Sequence, residues 1–103
     1  TVTLAHSRTA DAAAHTREAD IVVCATGRAR AFGPEYFAPG QTVLDVGINF
    51  DEAGNLCGDV DFDAVESVLG PEGAITPVPR GLGGVTTTVT MAHVVQAAEA
   101  GQR

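Results

Sequence analysis

Short Val- and Ile-rich runs, each followed by a stretch of helical character, constrain this chain more than any other feature. The runs are "VTLA" (2–5), "DIVVCA" (20–25), "TVLDV" (42–46) and "AITPV" (74–78). "DIVVCA" does not alternate apolar with polar residues, which predicts a strand buried on both faces, as in a parallel sheet covered by helices. The spacing predicts a helix over 9–19, with Thr9 as N-cap and Asp11 in a first turn whose dipole favours it. A short turn around "PEYF" (34–37) opens on a proline, which suits a first helical position. "DFDAVESVL" (61–69) reads as a helix ended by Gly70-Pro71, and "TTTVTMAHVVQAAEA" (86–100) as one ended by Gly101. Val85, Val89, Ala92 and Val95 would give the last helix one apolar face. Strand and helix alternate throughout, which predicts an α/β domain over 1–103 with a parallel sheet and right-handed crossovers.

Composition removes several function classes. The chain of 103 residues suits one hydrophobic core. Its formal net charge is −7 with six Lys and Arg, so it lacks the basic patch of a nucleic-acid or membrane-surface binder. No apolar run approaches the ~20 residues of a membrane span. Cys24 and Cys57 form no CxxC pair, and Cys24 falls in an apolar run where a free thiol acts as a small hydrophobe. A reducing, cytoplasmic setting is the simplest reading of that usage. His6, His15 and His93 have no metal-ligand spacing, no G-x-S-x-G nucleophile motif occurs, and no metal site is expected. The acids of "DVDFDAVES" read as a solvated helix start.

The ends of the runs carry the candidate chemistry. In a doubly wound nucleotide fold the first strand is central and a Gly-rich phosphate loop follows it. No G-x-G-x-x-G follows "VTLA", so this run reads as a second strand, and the sheet is expected to be Rossmann-type but incomplete, its first strand and phosphate loop lying upstream. A second strand of that fold ends at the adenosine ribose, where an acid selects NAD and an Arg accepts the 2′-phosphate of NADP. Here the tip offers Ser7, Arg8 and Thr9 and no acid, which points either to an NADP pocket or to a polar loop that caps the next helix. Thr26 and Gly27 in "ATGRA" suit a ligand crevice or a tight turn. In "DVGIN", Asp45 and Asn49 read as organisers of a loop, and Gly47 and Ile48 as ligand-facing. "TPVPRGLGGVTTT" (76–88) joins two stiffening prolines to three glycines and a hydroxyl-rich helix start, a shaped loop beginning at Thr76 and Pro77.

"HSRT", "ADIVVCATG", "VLDVGIN", "GDVDF" and "ITPVP" with its Gly loop occur in an order that resembles the C-terminal part of the bifunctional methylenetetrahydrofolate dehydrogenase/methenyltetrahydrofolate cyclohydrolase family. The resemblance covers nearly the whole chain. It implies the NADP-binding Rossmann domain of a homodimeric cytoplasmic enzyme of one-carbon metabolism, feeding purine biosynthesis. Such an enzyme oxidises 5,10-methylenetetrahydrofolate with NADP and hydrolyses the methenyl product to 10-formyltetrahydrofolate. Ser7 and Arg8 would then lie at the 2′-phosphate, with Thr9 beside them. Ile48 would contact the cofactor, Thr26 and Gly27 would flank it, and Thr76 and Pro77 would line the cleft near nicotinamide and folate. The family's Tyr-x-x-x-Lys segment and Gly-Arg-Ser loop are not in this chain, so no catalytic residue is assigned and the chain alone is expected to be inactive. The family's Pro-Gly-Gly-Val-Gly-Pro-Met-Thr pattern is here Pro79 to Thr86, with Arg80 for a Gly and Gly84 for the Pro. "ADIVVCATG" is also similar to shikimate- and glutamyl-tRNA-reductase-type Rossmann enzymes, and a non-catalytic α/β binding module is the remaining alternative.

Overall fold

The computed structural model describes residues 1–102. Helix α1 covers Ala12–Glu18 and leads into strand β1, Ile21–Cys24. A 3₁₀ turn at Pro34–Tyr36 precedes β2, Thr42–Asp45. A two-stranded antiparallel hairpin follows, β3 at Asn49–Phe50 and β4 at Leu56–Cys57. Then come α2, Phe62–Leu69, β5, Ala74–Ile75, and α3, Leu82–Gly101. The main sheet is parallel in the order β1-β2-β5, with Val22 opposite Val43 and Val43 opposite Ile75. This is the expected α/β fold with a parallel sheet.

Packing follows from strand alternation. Val22 and Cys24 of β1 and Val43 of β2 point to one face, where Phe37, Val60, Val65 and Leu69 meet them. Val43, Val65 and Leu69 are fully buried, and each such side chain stabilises the fold by roughly 1.5–3 kcal/mol over an exposed one. The aromatic ring of Phe32 packs edge-to-face on Tyr36 at 5.0 Å between centroids. Gln41 is buried at the start of β2, where its Nε2 donates to the carbonyls of Thr16 and Ala19 at 2.7 Å and its Oε1 accepts from Ala38 N at 2.8 Å. One side chain thereby satisfies the C-terminal end of α1 and ties it to the sheet.

Four local expectations are corrected. "VTLA" is not a strand: Val2 and Leu4 are 92% and 90% exposed, and no described segment lies beside them to share a backbone ladder. β1 is buried on one face only, since Ile21 and Val23 are 61% and 60% exposed on the face away from α1 and α2. The cap of α1 is Asp11, whose carboxylate accepts from Ala14 N; Thr9 instead closes its own turn, accepting from His6 N at 2.9 Å. α3 begins at Leu82, four residues before the expected start, and buries none of its side chains, so Val85, Val89 and Val95 remain in the open with Met91 and Val94.

Truncating Leu69 to Ala is expected to cost about 2–5 kcal/mol, the range for emptying a filled core position, whereas Leu4→Ala should change stability by less than about 0.5 kcal/mol. Urea denaturation of both variants checks this; equal effects would show that residues 2–5 contribute to the core.

Candidate functional site

The carboxyl ends of β1, β2 and β5 lie side by side because the strands are parallel and in register. The loops leaving them are therefore neighbours, at the position where open α/β sheets hold their ligands. A cleft of about 400 Å³ opens there between the segment after β2 and the loop leading into α3. Asp45, Val46, Gly47 and Ile48 form one wall, and the run from Pro77 to Gly83 forms the other with Thr86 and Thr87. Leu56 of the β3–β4 hairpin closes one end. A smaller hollow by Glu66, Leu69 and Ala74 lies at the opposite, amino end of β5.

Two buried carboxylates hold the cleft's framework. Asp45, at the end of β2, accepts at Oδ1 from Gly47 N (3.0 Å) and Asp59 N (3.1 Å), and at Oδ2 from Val60 N (3.0 Å). Its own N–H donates to Thr76 Oγ1 at 2.9 Å, which links β2 to the exit of β5. Asp59 has no exposed surface. Its Oδ2 accepts from Thr26 N (2.6 Å), Thr26 Oγ1 (3.1 Å) and Gly27 N (3.1 Å), and its Oδ1 from Arg28 N (3.1 Å) and Asn49 Nδ2 (2.9 Å). Among the described residues the one ion pair is Arg30 with Asp51, at 3.5 Å. Dipoles alone therefore hold both carboxylates. A Cβ on Gly47 would collide with the carboxylate of Asp59, and one on Gly58 with that of Asp45.

The electrostatics follow from this geometry. Burial pushes the Asp59 carboxyl up, but donated hydrogen bonds from Asn49, Thr26 and Gly27 outweigh it and hold the group below the ordinary carboxylate range. Cys24, beneath the two acids, is pushed up to about 12, first by burial and then by the charges of Asp45 and Asp59. It stays a thiol at neutral pH and is no nucleophile.

The expected site residues fall into three groups. Gly47, Ile48 and Pro77 line the cleft together, and Thr76 stands behind it on Asp45. Thr26 and Gly27 occupy the adjacent strand end, joined to the cleft wall through Asp59 and Asn49. Ser7, Arg8 and Thr9 stand apart in an outlying turn, Ser7 and Arg8 exposed, held by Thr9 N on the His6 carbonyl (2.9 Å) and Arg8 N on His6 Nδ1 (3.0 Å). Asp45 is the loop organiser its sequence setting implied. Asp59 corrects the reading of "DVDFDAVES" as solvated acids; the Gly58 before it and the apolar Leu56, Cys57 and Val60 around it are the sequence signal for burial. The β3–β4 hairpin was likewise not foreseen.

Arg80, in the cleft wall, has φ +73°, a left-handed conformation that strains a residue with a Cβ. Arg80→Gly removes that strain, of about 1–3 kcal/mol, and adds about 0.4–1 kcal/mol of unfolded-state entropy, so the variant should be more stable by about 1 kcal/mol. A lower melting temperature for Arg80→Gly would contradict this. For Asp59 the sign is also fixed. Its folded pKa lies below the unfolded value of about 3.9, so its stabilisation is full above roughly pH 5 and disappears as pH falls through the lowered folded value. Urea titrations of the wild type and Asp59→Asn should converge on acidification; a stability difference that does not shrink would refute the assignment. Cys24 should resist iodoacetamide in the folded chain at pH 8 and react only on unfolding.

Residues 1–102 match the family model described as tetrahydrofolate dehydrogenase/cyclohydrolase, NAD(P)-binding domain. The bifunctional protein FolD of Clostridium botulinum strain Hall is 54% identical over 99 residues, covering 96% of this chain and 34% of that protein. FolD of Geobacillus kaustophilus is 54% identical over 98 residues, again spanning 34% of its length. Among solved structures, the bifunctional 5,10-methylenetetrahydrofolate dehydrogenase/cyclohydrolase of Thermoplasma acidophilum superposes with a TM-score of 0.86 at 41% identity, over 96% of this chain and 35% of that one. The Campylobacter jejuni enzyme FolD superposes with a TM-score of 0.85 at 36% identity, over 97% of this chain and 34% of that one. The chain thus spans about a third of the length of these relatives. With a Rossmann-like α/β core and a cleft at the carboxyl ends of its parallel strands, it belongs to the NAD(P)-binding domain family of the tetrahydrofolate dehydrogenase/cyclohydrolases.

Proposed function

We propose that this chain is the NADP-binding part of a bifunctional enzyme that oxidises 5,10-methylenetetrahydrofolate and hydrolyses the methenyl product to 10-formyltetrahydrofolate. The observation that carries the reading is the cleft of about 400 Å³ at the carboxyl ends of β2 and β5, in a chain of this family. Its size and its mainly apolar walls suit one half of a dinucleotide. Val46, Gly47, Ile48 and Pro77 would pack against that half, and Thr76 would fix their spacing through Asp45. Thr26 and Gly27 would flank it at the neighbouring strand end. Ser7, Arg8 and Thr9 would take the 2′-phosphate, for which the exposed Arg8 offers a planar guanidinium without an ion-pair partner among the described residues. Bound NADP would supply the hydride acceptor. This chain's residues orient the cofactor and exclude water from one side of it. The lysine segment, the folate contacts and a homodimeric, cytoplasmic setting belong to the same proposal, as properties of a longer protein.

Calorimetric titration with NADPH and NADH tests the reading. NADPH should bind more tightly, and Arg8→Ala should weaken NADPH by about tenfold while leaving NADH unchanged, since a charge-assisted contact contributes about 1.5–3 kcal/mol. Equal affinity for the two cofactors removes the 2′-phosphate assignment, and binding of neither removes the cofactor reading. The chain alone should not oxidise methylenetetrahydrofolate; NADPH formation by it would show that the lysine segment is dispensable.

A further inference from the structure

The turn after β1 points three consecutive backbone N–H groups, those of Thr26, Gly27 and Arg28, at the same buried carboxylate. Successive N–H groups converging in this way form a concave anion site of the kind that binds phosphate. Here the anion is the chain's own Asp59, and the Thr26 hydroxyl completes the shell at 3.1 Å. The turn itself is exposed from Ala25 to Arg28. Among the described residues, the carbonyls of Ala25, Thr26 and Gly27 accept no hydrogen bond from the chain outside the strand ladder. The N–H groups of Thr26, Gly27 and Arg28 are thus consumed on the inner side, and the carbonyls of residues 25 to 27 remain as acceptors.

We propose that Asp59 is a positioning residue that closes the Thr26–Arg28 turn to phosphate and leaves it with carbonyl acceptors, so that it takes a neutral donor of the dinucleotide, a hydroxyl or a carboxamide. The same carboxylate accepts from Asn49 at 2.9 Å and fills the space beside Gly47, so it sets the turn's height relative to the cleft wall. The donor half of this assignment rests on the cofactor reading above. The phosphate half rests on the hydrogen bonds of the free chain.

Backbone amide and carbonyl NMR signals of the isotope-labelled chain separate the two halves. In the free chain the amides of Thr26, Gly27 and Arg28 should exchange slowly with solvent and should not shift when inorganic pyrophosphate is added. Fast exchange, or a saturable shift with pyrophosphate, overturns the phosphate half. On adding NADPH the same amides should stay protected, and the carbonyl-carbon signals of the turn should move as they accept a hydrogen bond. Loss of amide protection, or silent carbonyls in a chain that binds NADPH, overturns the donor half. If NADPH does not bind, the donor half falls with the cofactor reading, while the pyrophosphate result still judges the turn. A second comparison uses Asp59→Asn beside Val65→Ala, a change in the buried face of α2. At temperatures where both are folded, Asp59→Asn should lose about tenfold or more in NADPH affinity and Val65→Ala less than about twofold. Equal losses would mean that Asp59 acts through stability alone. Should Asp59→Asn not fold, the wild-type amide and carbonyl measurements decide by themselves.

Discussion

Asp45 and Asp59 are buried with no ion-pair partner among the described residues, and the arrangement of the carboxyl end of the sheet depends on how their charges are satisfied. An unpaired buried carboxylate would cost several kcal/mol, and both avoid that cost through donated hydrogen bonds, six of the eight from backbone N–H groups and two from the side chains of Thr26 and Asn49. Because those donors sit on different loops, satisfying the charge also sets the geometry. Asp45 gathers residues 47, 59 and 60; Asp59 gathers 26 to 28 and 49. Loops at the end of an open sheet have few apolar contacts to fix them, and here electrostatics takes over the role that packing has in the core.

The division of labour between the two ends of the sheet is sharp. At the amino ends of the strands, Gln41 satisfies the last carbonyls of α1, and Val43, Val65 and Leu69 fill the interior. At the carboxyl ends, small residues and carboxylates replace bulk, and a cleft remains open between β2 and the α3 loop. The cleft end stays accessible because its polar groups are satisfied within the loops and do not require it to close.

The three paired strands of the main sheet were legible because each combines β-branched residues with an apolar run of the right length. "VTLA" carries the same signal and is no strand, because composition reports what can enter a sheet and not whether a neighbour is there to bond it. The outer face of β1 misled in a related way: Ile21 and Val23 are apolar but uncovered by α1 or α2. The early start of α3 was hidden by Gly83 and Gly84, which weaken any helical signal. The β3–β4 hairpin has strands of two residues, too short for a period to show. Asp59 was missed because its partners Thr26, Gly27 and Arg28 lie far away along the chain. Asp45 was placed correctly because apolar neighbours on both sides already implied burial. Of the candidate site, Gly47, Ile48 and Pro77 meet as their strand-end positions suggested, whereas Ser7 to Thr9 stand apart on a segment without a strand beneath it.

The two glycines opposite the carboxylates have a consequence for how this sequence can vary. Gly47 follows Asp45 by two positions yet makes room for Asp59, and Gly58 precedes Asp59 yet makes room for Asp45. Each loop supplies one acid and one gap, and each acid occupies the other loop's gap. A side chain gained at either glycine displaces the opposite carboxylate from its donors, and shortening either acid orphans backbone N–H groups without filling the gap. No single substitution at these four sites leaves the remainder undisturbed. Their effects are therefore strongly non-additive, and the quartet can change only as a set.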